Sequence, residues 1–269
     1  MQQKLSGNYA SVNGLALYYE IHGSGRPLIL LHGGLGVNTM FGDVLWQLAD
    51  SFQVIAVELQ AHGHTADIDR PIRYELMAED IAALIQQLNL DKVHLMGYSL
   101  GGGVALRTAI QHPEVVDKLV LVSTAFKRHG WYPGVLASMD QLTGAAAEFM
   151  KPSPVYQEYV RIAPQPENFP TLLDKMGDLM RQPYDWSEEV AALTIPTLLV
   201  FGDADSLPPS HAAEFFALLG GGQQDAGWDN AHLPNSQLAI LPGRTHYNIC
   251  YDLALGTAVC QFLAPAQPE

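Results

Sequence analysis

Ser99, Asp205 and His246 are the residue types that together activate an oxygen nucleophile, and each follows the end of an apolar run. A serine hydroxyl is a poor nucleophile at neutral pH and needs an adjacent base. Histidine is the natural base, and an acid must then orient the imidazole and stabilise its charged form. Ser99 lies in Gly97-Tyr98-Ser99-Leu100-Gly101, directly after the apolar run Val93-His94-Leu95-Met96. Directly after it comes Val104-Ala105-Leu106-Arg107-Thr108-Ala109-Ile110, which reads as a helix. A strand–turn–helix of this kind forces the serine into a strained backbone conformation in which its neighbours approach closely, and glycine at 97 and 101 carries no Cβ to clash. The turn holds the hydroxyl at the carboxyl edge of a sheet, and the start of the helix beneath it favours a developing anion. Alone, the pentapeptide is a weak signal. Its weight comes from three further elements in the required chain order.

The acid and the base are two of these elements. Gly202-Asp203-Ala204-Asp205 follows the apolar run Pro196-Thr197-Leu198-Leu199-Val200-Phe201. Asp205 is preferred as the acid, because Asp203 reads as a turn residue that binds loop backbone. His246 closes Pro242-Gly243-Arg244-Thr245-His246, just past the last apolar run, and the order Ser, Asp, His suits this elbow. The third element is His32-Gly33-Gly34-Leu35-Gly36, after Leu28-Ile29-Leu30-Leu31. A glycine loop there can turn a backbone N–H toward a developing oxyanion; the expected donors are Gly34 and Leu100, with Leu35 as the fallback. His32 reads as a residue that pins this loop, not as a base. His62 and His64, in Glu58-Leu59-Gln60-Ala61-His62-Gly63-His64-Thr65, lack an accompanying carboxylate or cysteine at a convincing interval and read as structural.

Positioning these groups requires a sheet. Residues 9–22 read as a hairpin turning at Asn13-Gly14. Continuous apolar runs at 28–31, 53–57, 93–96, 118–122, 196–201 and 237–241 suit strands buried on both faces. Helices are expected at 40–49, 74–88, from the elbow to about 112, at 210–219 and after His246. Such alternation argues for a mostly parallel sheet covered on both faces, with ligands at the carboxyl ends of its strands. All four candidate groups follow strand ends and can meet on one edge. Between 126 and 194 strand runs vanish, prolines recur, and Trp131, Tyr132, Met139, Met176 and Met180 lie in amphipathic pieces. That stretch reads as a helical insertion over the sheet edge. Leu35, Tyr98, Trp131 and Met176 are the expected pocket residues, with Tyr132 a further candidate. No role is readable in the polar, glycine-rich loop at 220–235, and no internal repeat is evident.

Composition narrows the partners. The chain has 269 residues, 48% of them hydrophobic and 16% charged, which suits one globular domain with an inserted subdomain. A net charge of −14 argues against nucleic acid and anionic membrane surfaces as partners. The first residues show no leader pattern and no apolar run approaches bilayer length, so a cytoplasmic location is expected. Cys250 and Cys260 are too few for a disulfide framework and read as free thiols.

His32-Gly33-Gly34, Gly97-Tyr98-Ser99-Leu100-Gly101, Gly202-Asp203-Ala204-Asp205 and Gly243-Arg244-Thr245-His246 together resemble the α/β-hydrolase superfamily over nearly the whole chain. The compact bacterial carboxylesterases are the nearest likeness. The resemblance implies an α/β-hydrolase fold: a mostly parallel eight-stranded sheet with helices on both faces. It places the core at 1–126 and 195–269 and a helical cap, or lid, at 127–194. It also implies a Ser99–His246–Asp205 triad, an oxyanion hole after His32-Gly33, a small-molecule ester as partner, and no metal or organic cofactor. A homodimer is left open. One departure is the 58–65 loop, where the family often has Asp-x-x-Gly-x-Gly-x-Ser. Serine at the elbow disfavours the epoxide-hydrolase and haloalkane-dehalogenase branches, which attack with a carboxylate. The elbow also lacks the Gly-Gly-Ser-Trp-Gly of proline iminopeptidases. Carbon–carbon bond hydrolysis, lactone hydrolysis, perhydrolysis and a ligand-binding sensor with little turnover remain open as alternatives.

Overall fold

Asn13 (φ 48°) and Gly14 (φ 82°) both take the left-handed conformation that a two-residue hairpin requires, joining β1 (Asn8–Val12) to β2 (Leu15–His22). The computed structural model describes residues 7–265, so residues 1–6 of the stretch read for a leader lie outside the described residues. Six more strands follow: β3 (Arg26–Leu31), β4 (Phe52–Glu58), β5 (Val93–Tyr98), β6 (Val116–Val122), β7 (Thr197–Ala204) and β8 (Gln237–Thr245). They form one sheet in the order β1-β2-β4-β3-β5-β6-β7-β8. The pairs β1–β2 and β2–β4 are antiparallel and all others are parallel.

The continuous apolar runs are explained by burial on both faces. In β3, Ile29 and Leu31 enter one core layer while Leu28 and Leu30 enter the other. Helices α1 (Asp43–Ala49), α2 (Tyr74–Gln87) and α3 (Leu100–Gln111) continue the alternation. Between β6 and β7 come α4 (Pro133–Asp140), α5 (Ala147–Met150), α6 (Pro154–Ile162), α7 (Phe169–Arg181) and α8 (Ser187–Ala191). After β7 come α9 (Pro209–Leu218) and, after β8, α10 (Leu253–Leu263). The first layer receives α2, α3 and α7; the second receives α1 and α10.

Within the 127–194 segment the helices are not equivalent. On α7, Phe169, Leu172, Leu173, Met176 and Leu179 are buried, whereas α4 buries no residue and α6 buries only Tyr159. The polar side of α7 is tied to the core: Lys175 Nζ donates to Asp67 (2.5 Å) and to the Ile68 and Arg70 carbonyls, and Arg73 pairs with Asp178 at 2.7 Å.

Three boundaries depart from expectation. The 40–49 helix is split by Gly42 (φ 50°) into a 3₁₀ turn, Asn38–Phe41, and α1. Strand β7 runs on to Ala204 and so takes in Gly202 and Asp203, which were expected in a loop; Ala204 pairs Thr245 past an irregularity. Strand β8 continues through Pro242 to Thr245. It lies at the sheet edge, where proline's missing N–H costs no ladder bond on the open side. Residues 220–235 form no helix or strand, and Cys250 and Cys260 are unpaired. Among the described residues no helix is long and apolar enough to cross a membrane.

Candidate active site

Ser99 sits between β5 and α3 with φ 52° and ψ −114°, a conformation side chains rarely adopt. The surrounding backbone holds it there. Its N–H donates to Val122 O (2.9 Å), its carbonyl accepts from Gly103 N–H (3.0 Å), and Thr124 Oγ1 donates to the same carbonyl (2.9 Å). A Cβ at position 97 would overlap the Gly101 carbonyl. One at position 101 would overlap the carbonyls of Leu31 and His32. Both glycines are therefore obligatory for the elbow's close packing.

The structure brings Ser99, His246 and Asp205 together. Ser99 Oγ lies 3.0 Å from His246 Nε2, and His246 Nδ1 lies 2.9 Å from Asp205 Oδ1. A carboxylate can only accept, so Nδ1 carries the proton and Nε2 presents its lone pair to the serine hydroxyl. Burial pushes the Asp205 carboxyl up, but His246, the Ser123 hydroxyl and the Gly202 N–H outweigh it and hold it below its ordinary range. Ser206 N–H also donates to Oδ1, at 2.7 Å. Tyr98 O–H donates to the His246 carbonyl (2.5 Å), and the Trp131 ring stands edge-on to the imidazole at 5.3 Å. Asp203 is exposed and accepts Gly243 N–H at 2.7 Å, the backbone-binding role expected of it.

Gly34 and Leu100 both line a cavity of about 850 Å³ that opens over Ser99. Neither N–H donates to an acceptor among the described residues; that of Leu100 belongs to the first turn of α3 and has no intrahelical partner. The fallback donor, Leu35, is corrected by the structure: its N–H is taken by His62 Nε2 at 3.1 Å. His32 pins the loop as expected, with Nδ1 2.8 Å from the Gly33 carbonyl and Nε2 accepting Leu59 N–H at 3.1 Å. Burial, with the neighbouring His62, drives its pKa down to about 3. His64 bonds the buried Glu58 at 2.9 Å. Among the described residues no group of three or more His, Cys, Asp or Glu side chains is arranged to hold a metal ion.

A family model described as alpha/beta hydrolase fold matches residues 26–188. The chain belongs to the α/β-hydrolase family. This α/β hydrolase is 30% identical over 225 residues to the AB hydrolase superfamily protein YisY of Bacillus subtilis (strain 168), a match covering 74% of this chain and 82% of that one. It is 30% identical over 228 residues to the pimeloyl-(acyl-carrier protein) methyl ester esterase of Vibrio cholerae serotype O1, covering 74% and 84%. Among solved structures it resembles the serine hydrolase involved in carbazole degradation, the CarC enzyme. The TM-score is 0.73 at 23% identity, over 96% of this chain and 98% of that one, a likeness of fold.

The hydrolase's cavity is lined by Leu35, Tyr98, Trp131 and Met176, the residues expected around a substrate, and also by Met139 and Met180. Tyr132 does not line it: the residue is 43% exposed, because the turn that points Trp131 inward sends its neighbour out to solvent. Sequence reasoning missed Met40, Tyr74, Tyr184 and Arg128 in the wall. No local pattern marks the first two, which lie far from the insertion in sequence. The charged wall residues are paired, Arg128 with Asp140 and Glu158 with Arg161 (2.6 Å).

Proposed function

We propose that this protein is a carboxylesterase-type serine hydrolase that cleaves esters of small to medium, largely apolar substrates through an acyl-enzyme. The observation that carries the reading is the continuous hydrogen-bonded chain Ser99 Oγ–His246 Nε2, His246 Nδ1–Asp205 Oδ1. Ser99 attacks the ester carbonyl while His246 takes its proton, and Asp205 stabilises the imidazolium that forms. The N–H groups of Gly34 and Leu100 stabilise the oxyanion, each worth roughly 3 kcal/mol of barrier in sites of this kind. His246 then returns the proton to the departing alcohol, and water deacylates the serine through the same histidine. The substrate class follows from the wall: methionine, leucine and aromatic side chains, with Arg128 and Glu158 already neutralised by their partners. The ester named for the Vibrio cholerae relative supports the same reaction type.

The test is hydrolysis of p-nitrophenyl esters of increasing acyl length by wild type and by Ser99→Ala, together with fluorophosphonate labelling. Wild-type turnover that collapses by three or more orders of magnitude in the variant is expected. Equal rates in both proteins refute the assignment of Ser99. Labelling at Ser99 without ester turnover would redirect the substrate search to lactones and carbon–carbon bonds. Neither labelling nor turnover would leave a ligand-binding sensor.

A further inference from the structure

The loop that follows β3 carries three successive N–H groups, at Gly33, Gly34 and Leu35, and the outer two are spoken for by side chains from elsewhere. Gly33 N–H donates to Met40 Sδ at 3.3 Å, and Leu35 N–H donates to His62 Nε2 at 3.1 Å. Between them Gly34 N–H has no acceptor among the described residues, and Gly34, Leu35, Met40 and His62 all border the cavity. We propose that Met40 and His62 are positioning residues for the oxyanion donor, fixing the peptide planes on either side so that Gly34 N–H alone stays directed at the developing charge. This inference rests on the serine-hydrolase reading given above.

The chemistry of each acceptor supports a fixed role. His62 Nδ1 lies 2.8 Å from the Gln60 carbonyl, which can only accept, so Nδ1 carries the proton and Nε2 is the acceptor that Leu35 needs. Burial brings the pKa of His62 down to about 4, so the ring stays neutral and Nε2 keeps its lone pair at neutral pH. Leu35 itself has φ 58°, a left-handed conformation that costs a leucine free energy and persists only where its surroundings enforce it. The bond to His62 is such an enforcement. The peptide that carries the Gly34 N–H is itself anchored at its carbonyl, that of Gly33, which accepts from His32 Nδ1 (2.8 Å) and Gly36 N–H (3.0 Å), so Met40 and His62 act on the two flanking peptides. A glycine loop free of these ties would sample orientations in which the Gly34 dipole is turned away, and its reorientation would then fall within the reaction barrier.

The experiment compares His62→Phe, His62→Gln and Met40→Leu with wild type on one p-nitrophenyl ester. It also measures inhibition by an alkyl boronic acid, which becomes tetrahedral and anionic on the serine. Phenylalanine removes the acceptor while keeping a ring; glutamine restores an acceptor oxygen; leucine keeps the bulk of methionine without its sulfur. His62→Phe and Met40→Leu are expected to lose about 10- to 100-fold in kcat, with KM moving far less, and boronate affinity should weaken in proportion to kcat. His62→Gln should recover most of the loss. Unchanged kcat in both acceptor-removing variants, or equal losses in His62→Phe and His62→Gln, would overturn the proposal; should His62→Phe fail to fold, Met40→Leu decides alone. Failure of the underlying reading is separate, because it shows as ester turnover that survives Ser99→Ala.

Discussion

Two pairs of loops meet at the carboxyl edge of the sheet, and each carries buried histidine fixed at both ring nitrogens. After β7 and β8, His246 stands between Asp205 and Ser99; after β3 and β4, His32 and His62 stand between backbone carbonyls and backbone N–H groups. The partner on Nδ1 differs. Behind His246 is a carboxylate held in its charged form, which compensates an imidazolium. Behind His32 and His62 are neutral carbonyls, and burial drives the two rings down to about 3 and about 4. Their centroids are 5.1 Å apart, so a charge on either disfavours one on the other. Burial with only a neutral carbonyl on Nδ1 makes His32 and His62 neutral struts, whereas His246 has a carboxylate at the same ring position.

The strongest challenge to this contrast is His246→Gln, which keeps a hydrogen-bonding side chain but removes the proposed base. Stopped-flow or steady-state ester hydrolysis should show kcat lower by about four to six orders of magnitude. Next comes Asp205→Asn, which preserves shape but offers no charge behind the imidazole. A loss of about three to four orders of magnitude is expected, with Ser99 still present and the fold intact by circular dichroism.

Stability as a function of pH probes the other pair of loops. The folded pKa of His62, about 4, lies below the unfolded value of about 6.5, so the unfolded chain binds the proton first as pH falls. The contribution from burying a neutral ring is therefore whole above about pH 6.5 and is lost as pH falls toward 4. For His62 alone this is roughly 2 kcal/mol between pH 7 and pH 5. Urea unfolding at the two pH values should show a smaller pH-dependent loss in His62→Gln than in wild type; an identical loss would mean that the ring is already charged in the fold.

Ser123→Ala removes the hydroxyl that donates to Asp205 Oδ2 and leaves the His246 bond in place. A reduction of about tenfold in kcat is expected, the usual order for one hydrogen bond to a charged group. The smallest effect belongs to Asp203→Ala. The residue is exposed and, among the described residues, its side chain accepts only the Gly243 N–H of β8, so activity should stay within about twofold of wild type. A collapse there would reassign the acid.

Much of this was legible in the chain itself, for identifiable reasons. Asn13-Gly14 specifies its hairpin because few residue pairs tolerate two successive left-handed conformations, and the structure has φ 48° and 82° there. Asp205 was separable from Asp203 by their turn context, and the structure puts Asp205 against His246 and Asp203 against a backbone N–H. Less was legible where contacts come from far away. Ser123 and Asp205 are 82 residues apart, and Leu35 and His62 are 27 apart, with no periodicity linking either pair. Whether Trp131 or Tyr132 faces the cavity depends on one turn at the head of the helical segment, and neighbouring aromatics carry no signal to choose between them.

The sequence by itself determined the elbow, the alternation of apolar strands and helices that sets the candidate groups at strand ends, and the candidate serine, acid and histidine that the fold brings within hydrogen-bond distance. Those follow from short-range sterics: which residues fit a positive φ, which tolerate a carbonyl against the Cα, and which runs can be buried on two faces. The tertiary structure alone decided which histidine faces a carboxylate and which a carbonyl, which N–H groups of the glycine loop are occupied, and which charges in the cavity wall are cancelled. These depend on groups distant in sequence meeting where water is excluded. There a single partner sets the protonation state, and no local pattern encodes who that partner is.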